Sequence, residues 1–92
     1  MNSLTQTADI LAGLTAKLLQ CNELQARLRL KEQLLEMVNA LNISGEHVLI
    51  VEARRDFVRC MELYVHTHKA PEELEQALRN LILALRLLEL SR

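Results

Sequence analysis

Histidine and cysteine are the first candidates for chemistry in this sequence, because their side chains bind metals and act as nucleophiles. His66 and His68 lie two residues apart, and Cys60 lies six residues before His66. A zinc site takes four ligands, commonly paired at short spacings, and Cys21 would have to come from another helix. A thiol near an apolar stripe is usually inert, so we interpret Cys60 as buried and the histidines as surface residues. We expect no metal and no cofactor, and the sequence assigns these four residues no role.

Three glutamates, Glu72, Glu73 and Glu75, are close enough in sequence to suggest acid–base catalysis. They follow Pro71, and proline is favoured at the first position of a helix. Acidic side chains in a first helical turn stabilise the positive end of the helix dipole, which explains them without catalysis. No nucleophile–base pair and no glycine-rich phosphate loop can be assembled from the sequence. We therefore predict that the protein is not an enzyme and has no small-molecule substrate.

The basic residues fall into two groups along the chain: Arg54, Arg55 and Arg59, and then Arg27, Arg29 and Lys31. The first group is a candidate polar contact patch. Acidic residues interleave with it, no aromatic stacking platform accompanies it, and the net charge of the chain is −1. A mixed charged face of this kind is more typical of a solvated helix than of a nucleic-acid site. Contact with nucleic acid is thus the less favoured interpretation.

The composition predicts an all-α protein. Half of the 92 residues are hydrophobic, yet Phe57 and Tyr64 are the only aromatic ones, and there are two glycines and one proline. Leucine-rich chains with few β-branched residues and little turn chemistry form helices. No stretch reads as a signal peptide or a membrane span, and two cysteines are too few for a disulfide framework. We expect one cytoplasmic domain over residues 1–92, without membrane contact.

Apolar spacing predicts four helices, at about residues 4–20, 23–42, 49–66 and 71–90. We expect a small antiparallel bundle of three to four helices. One continuous helix from 4 to 41 is the alternative at the first junction, but the polar cluster there favours a break with Asn22 as the cap. Gly45 can close the second helix. In that helix we expect Leu24 to face inward and Arg27 to face water.

The last helix has more apolar surface than a small monomer needs. One stripe consists of Leu74, Leu78, Leu81, Leu85 and Leu88, and a second stripe beside it consists of Ile82, Leu83, Leu87 and Leu90. One apolar face is enough to pack a helix on its own core, and a chain of this length has little interior. We expect the first stripe to pack on the second and third helices. We expect the second stripe to contact another chain, most simply a second copy in a homodimer.

A family resemblance is carried by residues 38–48 (VNALNISGEHV), residues 57–62 (FVRCME) and residues 77–82 (ALRNLI). Over about residues 34–88 the chain resembles the YmgB/AriR family of small enterobacterial regulators. The resemblance implies an all-α homodimer that acts as a connector or modulator in biofilm formation, acid stress and two-component signalling, with DNA binding also proposed for that family. The sequence departs from the family pattern at residues 49–52, where the family tends to be polar. The resemblance carries over structural positions only, namely Val38, Leu41, Gly45, Val48, Met61, Glu62, Leu78 and Ile82.

Three functional hypotheses follow. The leading one is a non-enzymatic dimeric regulator that works by protein–protein contact. The second is a secretion-type helical chaperone that shields the amphipathic helix of a partner in a groove. The third is a nucleic-acid-binding regulator. The sequence does not name the partner.

Overall fold

The fold is known from a computed structural model, which describes residues 4–41 and 48–90. These residues form four helices and no strand: α1 (Leu4–Gln20), α2 (Leu24–Asn39), α3 (Val48–Thr67) and α4 (Pro71–Leu90). The all-α class is therefore confirmed. The second helix ends three residues earlier than expected, at Asn39. Ser44 and Gly45, in the segment expected to close it, lie outside the described residues.

The two short connectors explain where α2 and α4 begin. Residues 21–23 separate α1 from α2, so the predicted break is present. Asn22 does not cap α2, because Glu23 occupies the cap position with an extended backbone and makes no side-chain cap hydrogen bond. Between α3 and α4, His68 and Ala70 both adopt left-handed backbone angles, with φ of 59° and 61°. Since α4 begins at Pro71, that proline stands at the helix start as predicted.

The helices contact one another around a ring. In the described part of the chain α1 contacts α2, α2 contacts α3, α3 contacts α4, and α4 contacts α1, whereas the diagonal pairs make no backbone contact. The three-residue connectors 21–23 and 68–70 reverse the chain direction. Arg27, near the start of α2, bonds to Val65, near the end of α3, so these two helices are also antiparallel and the ring is an up-down-up-down bundle. The expectation that α4 packs on α2 and α3 was wrong in part. Its neighbours are α3 and α1, because α2 lies diagonally opposite.

Leucine fills the core, as the composition predicts. The largest fully buried side chains are Phe57, Leu11, Leu18, Leu34, Met61, Leu74, Leu81 and Leu85. In the first stripe of α4, Leu78 and Leu88 are partly buried and pack against this core, so that stripe faces inward as expected. Leu24 does not face inward: it is 46% exposed, because the first residue of α2 points away from the bundle axis.

Arg27 is buried rather than exposed, contrary to the sequence-based expectation. Only 7% of its surface is accessible. Its Nε donates a hydrogen bond to the carbonyl oxygen of Val65 at 3.1 Å, and its Nη1 donates one to the carbonyl oxygen of Asn22 at 3.0 Å. Close by in sequence, the Tyr64 hydroxyl donates to the carbonyl oxygen of Leu19 at 3.2 Å. These bonds join the last turns of α3 to the end of α1, to the α1–α2 connector and to α2.

Thr15, on α1, is a polar residue in the core. It is fully buried, and its hydroxyl has no hydrogen-bond partner among the described residues. An unpartnered buried hydroxyl costs about 1–3 kcal/mol. Valine keeps the branched shape without the hydroxyl, so we expect Thr15→Val to raise the free energy of unfolding by about 1 kcal/mol.

Urea unfolding followed by circular dichroism measures the Thr15 effect. Thr5→Val is the matched control, because Thr5 lies at an exposed position of the same helix. The control should change the free energy of unfolding by less than about 0.5 kcal/mol. A loss of stability in Thr15→Val would show that the hydroxyl makes a bond that stabilises the core.

Candidate functional site

A shallow groove between α3 and α4 holds three exposed leucines. Leu83 and Leu87 on α4 are 58% and 49% exposed, and Leu49 on α3 is 55% exposed. All three line the groove, whose volume is ≈ 260 Å³ and whose walls include Ala53 and Ala84. We call it the leucine groove. Large apolar side chains that stay exposed together on a packed helix pair mark a surface suited to a partner.

The four residues predicted to contact another chain do not form one set. Leu83 and Leu87 share the leucine groove. Leu90 is 84% exposed in the last turn of the same helix. Ile82 is only partly accessible and packs against the core. The second stripe is therefore divided, with two leucines in the groove, one beyond it and the isoleucine turned toward the bundle.

A second, larger groove runs along the other side of α3, next to α2. Its volume is ≈ 750 Å³. Its accessible apolar residues, which form its floor, are Val51, Val58 and Leu63 from α3, and they lie beside Val38 of α2, which is itself buried in the core. Leu63 is 46% exposed, so this floor is open to a ligand. We call it the arginine groove, after the residues of its rim.

The predicted polar patch forms the rim of the arginine groove. Arg54, Arg55 and Arg59 all line it, so the structure brings the three together. Asp56 lies 3.5 Å from Arg59 as an exposed ion pair of the kind found one turn apart on a helix. Because such exposed pairs are weak, Arg59 remains available to a ligand.

The second basic group predicted from the sequence is dispersed. Arg27 is buried and bonded to carbonyl oxygens. Arg29 is exposed on α2. The Lys31 ammonium donates to Nε2 of His66 at 3.3 Å, and His66 lines the arginine groove. Lys31 therefore adds its charge to the edge of that groove, while the other two residues do not.

The residues considered for metal binding each have a structural contact. Within residues 4–41 and 48–90, no three His, Cys, Asp or Glu side chains lie close enough to hold one metal ion. The His68 ring contacts the Tyr64 ring edge-on, with centroids 5.2 Å apart. Cys21 donates from its Sγ to the carbonyl oxygen of Glu23 at 3.6 Å. Cys60 is partly buried against the core, and Cys21 and Cys60 are both free thiols.

Burial raises the pKa of the Cys60 thiol; Arg59 opposes this shift, and Glu73 and Asp56 add to it. A raised pKa leaves less thiolate at a given pH, and the thiolate is the reactive form. We therefore expect Cys60, in a Cys21→Ser variant, to react several-fold more slowly with iodoacetamide near neutral pH in the folded protein than in urea. The difference in reaction rate between the folded protein and the protein in urea should become smaller as the pH rises. Faster alkylation of the folded protein would contradict the prediction.

The grouped glutamates take the helix-start position that the sequence indicates. Glu72 and Glu73 stand in the first turn of α4. Glu75 lies 3.7 Å from Arg79 across one turn, and both side chains are largely exposed. The three glutamates therefore make interactions that are common in helices: Glu72 and Glu73 with the helix dipole, and Glu75 with an arginine one turn away.

The sequence reasoning missed part of each groove. In the prediction, Leu49 is only the first residue of the third helix. In the structure it stands four residues before Ala53 and shares its face of α3. Leu63 was not assigned to any stripe, although it follows Arg59 by four residues and lies in the same groove. Helical spacing from known neighbours was the signal that could have found both residues.

The described helices include none that is both long and apolar enough to cross a bilayer. Comparison with protein-family models, with characterised proteins and with solved structures finds no match for this chain.

Proposed function

We propose that this chain is a non-enzymatic regulatory protein that forms a homodimer through the leucine groove and acts as a connector by protein–protein contact. One observation carries the proposal: Leu49, Leu83 and Leu87 are about half exposed and lie in the same groove. The rest of α4 packs well, with Leu74, Leu81 and Leu85 among its fully buried residues. The exposed leucines are therefore a surplus over what the core uses.

Burial of these leucines supplies the driving force for association. Complete burial of a leucine is worth about 1.5–3 kcal/mol, so the exposed half of each is worth about 1 kcal/mol. A two-fold axis makes every leucine count twice, and Leu90 adds more if the interface extends to the end of α4. Association itself costs about 4–15 kcal/mol. We therefore expect a reversible dimer rather than a permanent one.

The charges beside the leucine groove support a second copy as its occupant. Glu52 and Asp56 stand on the α3 side of the groove. Arg79 and Arg86 lie on α4, and helical geometry places them beside Leu83 on the side away from α3. A two-fold axis parallel to the helices sets the arginines of one copy beside the carboxylates of the other. Such complementarity fixes the orientation of two partners more than it adds affinity.

The resemblance of residues 34–88 to the YmgB/AriR regulators supports a role in signalling. We extend the proposal accordingly to the modulation of stress and biofilm responses through two-component signalling. We place the protein in the cytoplasm, and the free thiols of Cys21 and Cys60 suit a reducing compartment.

Size-exclusion chromatography with light scattering tests the dimer directly. The chain has a mass of 10.5 kDa, so we expect the measured mass to approach twice that value as the concentration rises from about 10 to 200 µM. A mass that stays at that of one chain over this range would contradict the proposal.

A further inference from the structure

The arginine groove combines an apolar floor with a positive rim. Val51, Val58 and Leu63 form the accessible floor, beside the buried Val38. The groove lining extends along α3 from residue 51 to residue 67, which corresponds to about 24 Å at 1.5 Å per residue. A helix of about 16 residues has that length. The shape thus fits a helix laid along α3 better than a compact small molecule.

The charge of the rim indicates what such a helix must carry. Arg54, Arg55 and Arg59 line the groove, and Lys31 reaches its edge through His66. Among the described lining residues, Glu62 is the one carboxylate. The groove is therefore positive in a chain whose net charge is −1. Only a ligand with negative charges beside its apolar face complements both parts.

We infer that the arginine groove binds an amphipathic helix of a protein partner, with its apolar stripe on the valine–leucine floor and its carboxylates toward Arg54, Arg55 and Arg59. Amphipathic helices dock into grooves through apolar residues at spacings of three and four, which form one stripe along such a helix. Arginine suits the rim because its planar group can bind a carboxylate with two hydrogen bonds.

Nucleic acid fits the same groove less well. A sugar–phosphate backbone leaves an apolar floor unused, and no aromatic residue lines the groove for base stacking. The helix partner supplies the proposed connector with its second surface, between α3 and α2, whereas the leucine groove lies between α3 and α4. An experiment can nevertheless disprove the proposed role of one of the two surfaces without disproving that of the other.

Fluorescence anisotropy with the full chain tests the inference. The probes are two labelled helical peptides of about 16 residues, with leucines at spacings of three and four in different registers and glutamates beside the leucines. The matched peptides have lysine in place of each glutamate. We expect at least one acidic peptide to bind about tenfold or more tightly than its lysine counterpart. Raising the NaCl concentration from about 50 to 500 mM should weaken that binding several-fold.

Variants locate the binding site. Replacing Arg54, Arg55 and Arg59 together by glutamine should weaken binding about tenfold or more, and Leu63→Ser should weaken it several-fold. The matched control replaces three exposed cations outside both grooves by glutamine: Lys17, Arg29 and Lys69. The control removes the same net charge and should leave the affinity unchanged within about twofold. Circular dichroism verifies that each variant keeps its helices.

Several outcomes would overturn the inference. The inference is wrong if neither acidic peptide binds, or if the lysine peptides bind equally well. It is also wrong if the groove variant binds the acidic peptide as tightly as the control variant does. A short DNA duplex that binds through the same arginines, while the acidic peptides do not, would assign the groove to nucleic acid instead. Peptide binding that persists in a Leu83→Asp, Leu87→Asp variant would show that the groove works independently of the proposed dimer.

Discussion

Replacing Arg27 by alanine is expected to lower the free energy of unfolding by about 2–4 kcal/mol, because one buried and one partly buried hydrogen bond from a charged group are lost. Those bonds run from Nε to the Val65 carbonyl oxygen and from Nη1 to the Asn22 carbonyl oxygen. Val65 belongs to the last turn of α3, where carbonyl groups have no partner within the helix. Alanine would leave both carbonyls unbonded and would open a cavity. The midpoint temperature of thermal unfolding should fall by about 10 °C or more.

Two further variants separate the contributions of Arg27. Arg29→Ala is the control, since Arg29 is exposed on the same helix, and it should cost less than about 0.5 kcal/mol. Arg27→Met keeps the apolar length of the side chain without its donors, so most of the loss should remain. If Arg27→Ala behaves like Arg29→Ala, or if Arg27→Met is as stable as the natural chain, the buried hydrogen bonds do not hold the bundle together.

The Arg27 result also bears on the arginine groove. Val38, on α2, faces Val51 and Val58 of α3 across that groove. Arg27 bonds α2 to the far end of α3. Without this bond the two helices lose their fixed separation, so we expect weaker peptide binding in Arg27→Ala than in Arg29→Ala.

Replacing Leu83 and Leu87 together by aspartate is expected to convert the proposed dimer into a monomer. Both side chains lie in the leucine groove and are about half exposed, so the isolated fold tolerates aspartate there. In a symmetric interface the two substitutions bury four carboxylates in apolar surroundings, which is strongly unfavourable. Light scattering measures the mass, and circular dichroism should show unchanged helix content.

Ile10→Asp is the matched control for this pair. Ile10 is 44% exposed on α1, so it tests whether any exposed apolar residue affects association. The control should remain a dimer. A milder variant, Leu83→Ser with Leu87→Ser, should weaken dimerisation by about tenfold or more and guards against a folding defect in the aspartate variant. Persistence of the dimer in both double variants would place the interface elsewhere.

Helical spacing was sufficient to predict most of this fold. The stripe Leu74, Leu81 and Leu85 faces the core because residues three and four apart share one side of a helix. The break after Gln20 followed from a polar cluster. The neighbours of α4 could not be predicted in this way. A stripe gives the direction in which a helix faces, but not which of the other helices stand on either side of it.

The burial of polar residues was not predicted, because their residue type indicates exposure although their position in the helix indicates burial. Arg27 stands seven residues before Leu34 and eleven before Val38, on the same stripe. Thr15 stands between Leu11 and Leu18 at spacings of four and three. The spacing alone indicated burial for both. What the sequence does not contain is the pair of carbonyl groups that makes a buried arginine stable, because they come from the α1–α2 connector and from α3.

The candidate sites were predictable only in part, for a related reason. Arg54, Arg55 and Arg59 could be grouped because they share one side of α3. The exposure of Leu83 and Leu87 also followed from spacing. Whether a residue beside the core is covered depends on the neighbouring helix, however. Spacing alone groups Ile82 with the leucines, although in the structure it packs against the core. Grooves between two helices arise from tertiary packing and have no counterpart in one helix alone.

Isotope-filtered nuclear Overhauser spectroscopy detects contacts between two copies of the chain at the leucine groove. The sample is an equal mixture of ¹³C-labelled and unlabelled chains, in which only contacts between two copies give a signal. We expect intermolecular contacts at the methyl groups of Leu49, Leu83 and Leu87, and none at Ile10. Intermolecular contacts confined to other surfaces, or none at a concentration where the mass is that of a dimer, would contradict this expectation.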